Sequence, residues 1–95
     1  MWESYKKGYK GWLQLEKSLS DNSVQAYLQD VEKLTQYLQQ EEGLKPPAGI
    51  VLTDLQQFVR WIGELGMTPK SQARIISGIR SFYKYCLMEN LIRRK

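Results

Sequence analysis

The sequence contains no histidine, one cysteine and no long apolar run, and each shortage excludes a class of function. Without histidine the chain lacks the commonest general base and the commonest metal ligand, so we expect no zinc site, no other metal and no cofactor. Cys86 cannot form a disulfide within the chain, which favours a reducing compartment. The sequence shows neither the pattern of a signal peptide nor the apolar run of about 20 residues that a membrane span needs. The sequence therefore predicts a cytoplasmic protein that does not cross a membrane.

Groups that could carry out catalysis are also scarce. No glycine-rich phosphate loop occurs, and no base is present to activate serine or the cysteine. The acids Asp30, Glu32, Asp54 and Glu64 are scattered along the chain. We therefore expect these residues to catalyse nothing by themselves and to bind no small-molecule ligand.

The composition is that of one small globular domain, which we place over residues 1–95. Apolar residues make up 42% and charged residues 25%, and three Trp, six Tyr and two Phe supply much of the expected core. The formal charge of +4 is a mild bias toward anionic partners such as nucleic acid or a membrane surface.

Apolar residues recur at helical spacing in four segments, and no strand pattern or internal repeat is seen. The first segment runs from Trp2 to about Lys17. The second begins in the capping cluster Ser20–Ser23 and ends near Glu42, with Gly43 as its stop. Pro46 and Pro47 then predict a loop.

Capping patterns delimit the last two segments. Thr53 with Gln56 three residues later is a capping-box pattern, and Gly66 ends this third segment. Thr68 followed by Pro69 opens the fourth, which runs to about Asn90. The predicted fold is all-α, a single four-helix bundle. Its expected core lies at the middle of the apolar stripes and comprises Val31, Leu34, Phe58, Ile62, Ile79 and Phe82.

The fourth segment carries a cationic sector. At about 100° per residue, five of its polar residues fall within one narrow sector opposite Ile79, and Arg80 flanks them. The five are Lys70, Arg74, Ser77, Ser81 and Lys84. The sector contains three cations, two hydroxyls and no acid, a pattern that suits a DNA groove, where cations meet phosphates and arginine can also contact guanine. An ordinary solvated helix face is the alternative interpretation.

The start of the second segment is another candidate. Asn22, Ser23 and the free backbone N–H groups there can receive a phosphate, although plain helix capping explains them equally well. Asp21 would repel a phosphate unless it faces away. Tyr27 lies on the apolar stripe, which indicates a core role, but its hydroxyl can still reach the surface.

Two stretches resemble a known family. Residues 15–31, LEKSLSDNSVQAYLQDV, resemble the opening of the core-binding domain of tyrosine recombinases, with the matching positions Ser23, Tyr27 and Asp30. Residues 71–85, SQARIISGIRSFYKY, resemble the last helix of that domain. The likeness covers nearly the whole chain and is nearest to the Xer and phage-integrase type. Ser23 stands where threonine is usual, and Gly78 where a larger residue would stiffen the helix.

The resemblance implies a SAM-like four-helix domain that forms half of a clamp around duplex DNA, with the second and fourth helices facing the major groove. Together with the cationic sector, this leads us to expect phosphate contacts from Lys70, Arg80 and Lys84, groove contacts from Arg74 and Ser77, and a phosphate anchor at Asn22 and Ser23. The expected DNA-binding residues are Asn22, Ser23, Tyr27, Lys70, Ser71, Arg74, Ser77, Arg80, Ser81 and Lys84.

For the parent protein, the resemblance implies DNA cutting and rejoining through a phosphotyrosine link. The catalytic domain would follow residue 95, and other recombinase protomers would be partners. Two other interpretations remain open. One is a helical protein-interaction domain that binds through an exposed aromatic patch on the first helix. The other is a part of a truncated enzyme with a purely architectural role.

Overall fold

The described part of the chain folds into four α-helices. A computed structural model describes residues 2–40 and 45–91. The helices are α1 (Trp2–Leu15), α2 (Asp21–Gln40), α3 (Leu52–Glu64) and α4 (Pro69–Met88), and a single 3-10 turn, Pro47–Gly49, precedes α3. No strand occurs in the described ranges, so the all-α prediction is confirmed. The predicted stop at Glu42 and Gly43 lies outside the described residues.

The helix starts follow the predicted capping in two of three cases. The Thr68 hydroxyl accepts a hydrogen bond from the backbone N–H of Ser71, and Pro69 is the first residue of α4. Ser20 caps α2 in the same way by accepting from the N–H of Ser23. Gly66 has a φ of 86° just after α3, a conformation that glycine adopts without steric cost.

The predicted cap of α3 at Thr53 is wrong. The helix begins at Leu52, and Val51 occupies the N-cap position with its N–H donating to the Asp54 carboxylate at 2.9 Å. Lys45 Nζ lies 3.0 Å from the same carboxylate. The Val51 hydrogen bond, assisted by Lys45, holds the pKa of Asp54 below its usual range. Because an ionised carboxylate is a stronger acceptor than a threonine hydroxyl, Asp54 determines where the helix starts.

The core lies along α4, which packs against each of the other helices. All six residues predicted for the core are buried. From α1, Trp2 stacks on Phe82 with ring centroids 5.8 Å apart, and Tyr9 meets Phe82 edge-on at 5.3 Å. Trp2, Tyr9 and Trp12 are all buried, so the aromatic face of the first helix belongs to the core and does not form an exposed patch. Cys86 is also fully buried, and burial raises the pKa of its thiol to about 12.

Gly78 sets the approach of α4 to α2. A Cβ atom at this position would lie 2.6 Å from Cγ and 2.8 Å from Cβ of Asp30, closer than real side-chain contacts allow. Glycine therefore stands here because the Asp30 carboxylate lies against the α4 backbone. The sequence pattern indicated a loss of helix rigidity at Gly78, whereas the structure shows a contact that no larger residue permits.

We predict that Phe82→Ala destabilises the fold by roughly 3–5 kcal/mol, because Phe82 is fully buried among the rings of α1. Chemical denaturation followed by circular dichroism measures the loss. Leu15→Ala is the matched control: Leu15 is 81% exposed at the end of α1, and its removal should change stability by no more than about 0.5 kcal/mol. A loss below about 1 kcal/mol for Phe82→Ala would contradict its place in the core.

We also predict opposite effects of one substitution at two helical glycines. Gly78→Ala should destabilise the fold, because about 1–3 kcal/mol of overpacking against Asp30 exceeds the about 1 kcal/mol gained in helix propensity. Gly11→Ala on α1 meets no atom within 4 Å and should gain up to about 1 kcal/mol. Thermal unfolding measures the change in stability of each variant. A Gly78→Ala protein that is more stable than the wild type would rule out the close contact between Gly78 and Asp30.

Candidate nucleic-acid interface

Most of the predicted site residues on α4 face solvent. Ser81 is half-buried, and the other six are exposed. We call these seven residues the α4 cationic face; they are Lys70, Ser71, Arg74, Ser77, Arg80, Ser81 and Lys84. The face is not uniform, because two separate depressions in the surface divide it.

The first depression lies between the end of α1, α2 and α4. It has a volume of about 340 Å³ and an apolar floor that includes Trp12 and Leu13. Its polar lining comprises three cations and three hydroxyl-bearing residues, which are Lys17, Arg80, Lys84, Tyr27, Ser77 and Ser81. Among the described residues, no carboxylate forms an ion pair with Lys17, Arg80 or Lys84. We call it the Lys84 depression; unpaired cations beside hydroxyl donors suit the oxygens of a phosphate.

Lys17 was not among the residues singled out from the sequence. It follows the last turn of α1, and its ammonium lies 5.3 Å from the centre of the Trp12 ring. The ring attracts the ammonium and keeps this flexible side chain beside the depression. Lys17 is 67 residues from Lys84 in the sequence, and helical periodicity carries no signal across such a distance.

The hydroxyl of Ser81 has a partner inside the protein. The buried Tyr9 hydroxyl donates to Ser81 Oγ at 3.0 Å. Burial raises the pKa of Tyr9 to about 12, so this phenol stays protonated and remains a donor at neutral pH. Accepting that bond leaves the proton of Ser81 available to donate toward the Lys84 depression.

Arg74 lies in the second depression, with Gln29, Lys33 and Ser71 at its edges. Its Nη1 donates to Oδ2 of Asp30 at 2.5 Å, and its guanidinium lies 5.0 Å from the centre of the Tyr27 ring. Arg74 is thus oriented by two residues of α2. Tyr27 itself is half-buried, which is compatible both with a core role and with a hydroxyl that reaches the surface.

Asp30 is the buried member of this pair. Its side chain is 8% exposed, whereas that of Arg74 is 44% exposed. Burial raises the pKa of Asp30, and the neighbouring Arg74 guanidinium acts in the opposite direction. In the sequence, Asp30 is one of several scattered acids and one of the positions that match the tyrosine recombinase family. Nothing in the pattern shows that it meets a residue 44 positions away.

The residues predicted at the start of α2 lie in its first turn. Asn22 is exposed and Ser23 is half-buried. The Ser23 hydroxyl is 3.2 Å from that of Ser20, and the Ser23 backbone N–H is already engaged by the same residue. Ser20 therefore caps α2, and this cap occupies one of the backbone N–H groups that a phosphate could otherwise bind.

Two further searches concern the described residues only. No group of three or more His, Cys, Asp or Glu side chains in them is arranged to bind a metal ion. Within the same ranges, none of the helices has both the length and the apolar character needed to span a membrane.

Comparison with known proteins places the amino-acid sequence in a family. Residues 7–90 match the model of the phage integrase N-terminal SAM-like domain. The chain is 39% identical over 80 residues to a tyrosine recombinase XerD of Pseudomonas aeruginosa, covering 84% of this chain and 26% of that protein. It is 34% identical over 90 residues to XerD of Chlorobaculum tepidum, covering 95% of this chain and 29% of that protein.

A third relative, tyrosine recombinase XerC of Pseudomonas putida, is 29% identical over 85 residues, covering 90% of this chain and 28% of that protein. The chain thus spans little more than a quarter of the length of the curated relatives it matches. No solved structure shows a significant match. The chain therefore belongs to the phage integrase N-terminal SAM-like domain family and is an Xer-like N-terminal domain of the tyrosine recombinase type.

Proposed function

We propose that this domain binds duplex DNA through the α4 cationic face and the start of α2. The observation that carries the proposal is the Lys84 depression, where Lys17, Arg80 and Lys84 converge without a carboxylate partner among the described residues. Elsewhere, Lys6 and Lys45 are neutralised by acids. A cluster of unpaired cations next to hydroxyl groups fits a phosphate backbone better than it fits an ordinary mixed surface.

The proposed contacts divide into two kinds. Lys17, Lys70, Arg80 and Lys84 would contact phosphates, with Ser71, Ser81, Asn22, Ser23 and the Tyr27 hydroxyl as further hydrogen-bonding groups. Arg74 and Ser77 would face the base edges of the major groove. Phosphate contacts position the helix, and the arginine supplies the sequence preference.

The activity of a longer parent protein is also a proposal. The relatives are tyrosine recombinases three to four times as long as the matched region. We expect such a parent to carry out DNA strand exchange with a tyrosine nucleophile and to assemble with other protomers on DNA. The residues described here would supply positioning on the duplex.

A protein-interaction domain is the competing function, but the structure lacks the feature on which that interpretation rested. It required an exposed aromatic patch on the first helix, but Trp2, Tyr9 and Trp12 are buried.

We predict that the 95-residue chain binds a random duplex weakly, with Kd in the range of about 10⁻⁴–10⁻⁶ M, and that affinity falls steeply as salt rises. The physical reason is that neutralised phosphates release their counterions. Fluorescence anisotropy with a labelled duplex across a salt series measures both quantities. Absence of binding to every duplex at low ionic strength would overturn the proposed function.

We predict further that Lys17→Ala and Lys84→Ala each flatten the salt dependence, expressed as log K against log salt, by about one unit. Both should weaken binding equally on all sequences, because a phosphate contact carries no base information. Lys7→Ala is the matched control, since Lys7 is an exposed lysine of α1 in a depression that also contains Glu3 and Glu32. An equal effect of Lys7→Ala would show that only overall charge matters and that the Lys84 depression is not a binding site.

A further inference from the structure

The contact between Asp30 and Arg74 differs from an ordinary surface ion pair. One partner is buried and the other is on the exposed face of α4. The chain brings them together across 44 residues, by packing α2 against α4. Asp30 is buried next to Arg74 at the proposed DNA-binding surface, so its own carboxylate offers little area to a bound duplex.

The fold accommodates this carboxylate at a cost. Gly78 is required to make room for it, although glycine is a poor residue for the middle of a helix. Burial raises the pKa of Asp30 despite the adjacent cation, which indicates that the ionised carboxylate is disfavoured by its surroundings. Buried ion pairs are weak contributors to stability when compared with apolar residues of similar size. Stability alone therefore gives little reason for a carboxylate at this position.

The pair does fix the orientation of Arg74. Asp30 engages Nη1, and the Tyr27 ring lies beside the guanidinium plane at 5.0 Å. One hydrogen bond and one ring face together restrain both the direction and the tilt of the group. Among the described residues Asp30 is the one hydrogen-bond partner of Arg74.

The remaining donors of the guanidinium match a guanine. A guanidinium has five N–H groups, and four of them form two edges that can each make a paired contact. Because Asp30 takes a single bond at Nη1, the edge formed by Nε and Nη2 is left for a second, bidentate partner. Guanine O6 and N7 form the commonest such partner in the major groove.

We propose that Asp30 is a positioning residue that sets the base preference of the domain by orienting Arg74 toward guanine, without itself touching DNA. The inference rests on the proposed DNA-binding function and extends it. Ordering a long side chain on binding costs the equivalent of about three- to tenfold in affinity. Asp30 and Tyr27 pre-order Arg74, so the guanine contact avoids most of that cost.

This inference and simple electrostatics predict opposite outcomes for Asp30→Asn. Removing a negative charge near the phosphates should strengthen binding to every sequence, or leave it unchanged. If Asp30 orients Arg74, the same change should weaken the preference for guanine by about three- to tenfold. A purely structural role would instead lower the folded fraction and reduce binding to all sequences by one common factor.

The experiment is a selection from a duplex library randomised over about 20 base pairs, or two helical turns. The 95-residue chain and its variants are each incubated with the library, the bound duplexes are sequenced, and affinity for the unselected library is measured by anisotropy. Thermal unfolding confirms that each variant is folded. Glu32→Gln is the matched control, because Glu32 is an acid on the same helix that pairs with Lys6 at 2.5 Å and not with Arg74.

We expect Asp30→Asn to bind the unselected library at least as well as the wild type but to lose guanine enrichment about three- to tenfold, and Glu32→Gln to retain it. In an Arg74→Lys background, Asp30→Asn should have no further effect on enrichment, since the oriented edge is already absent. If Asp30→Asn does not fold, Tyr27→Leu provides the second variant: it removes the ring beside the guanidinium without a charge change and should lose enrichment in the same direction.

Two outcomes overturn the inference while leaving the proposed function intact. In one, the wild type binds duplexes without any preference for guanine. In the other, folded Asp30→Asn keeps the wild-type enrichment, or loses specific and unselected binding by the same factor. Failure of the wild type to bind any duplex is a different result, because it removes the proposed function and this inference with it.

Discussion

The Asp30 carboxylate lies against the backbone of α4 at Gly78, and the spacing of the two longest helices follows from this contact. A Cβ atom at position 78 would clash with the Asp30 side chain, so either that side chain or the α4 backbone would have to shift. At the separation that glycine permits, Asp30 reaches Arg74 and the Tyr27 ring lies beside the guanidinium. The position of the α4 cationic face relative to the start of α2 thus depends on the short distance between the two helices, which the glycine at position 78 permits.

Aromatic packing fixes the position of α4 relative to α1. The rings of Trp2 and Tyr9 meet Phe82, and Tyr9 also donates a hydrogen bond to Ser81 on the exposed side of the helix. This link joins the core to the surface, because a single phenol contributes its ring to the packing and its hydroxyl to a residue of the Lys84 depression. The end of α1 brings Lys17 to the same depression. Three helices therefore contribute to a surface whose cations come mostly from one of them.

The sequence predicted those features that depend on neighbours within a few residues. The stripe through Val31 and Leu34, the cap at Thr68 and the stop at Gly66 are local patterns, and the structure contains all of them. The start of α3 was misplaced because Thr53 and Asp54 are adjacent and both can accept from a backbone N–H; the choice between them depends in part on Lys45, which lies before the helix. The pairing of Asp30 with Arg74 and the placement of Lys17 arise from tertiary packing, and a pattern of residue types contains no information on it.

The single thiol of the chain has a practical consequence. Cys86 is fully buried near the end of α4, and its raised pKa keeps it protonated at neutral pH, so a thiol-directed reagent has neither access nor a thiolate to attack. Reaction then requires the packing around the end of α4 to open. The rate of modification under native conditions therefore measures how often that opening occurs. A lower rate in the presence of a duplex would show that DNA binding stabilises the closed bundle.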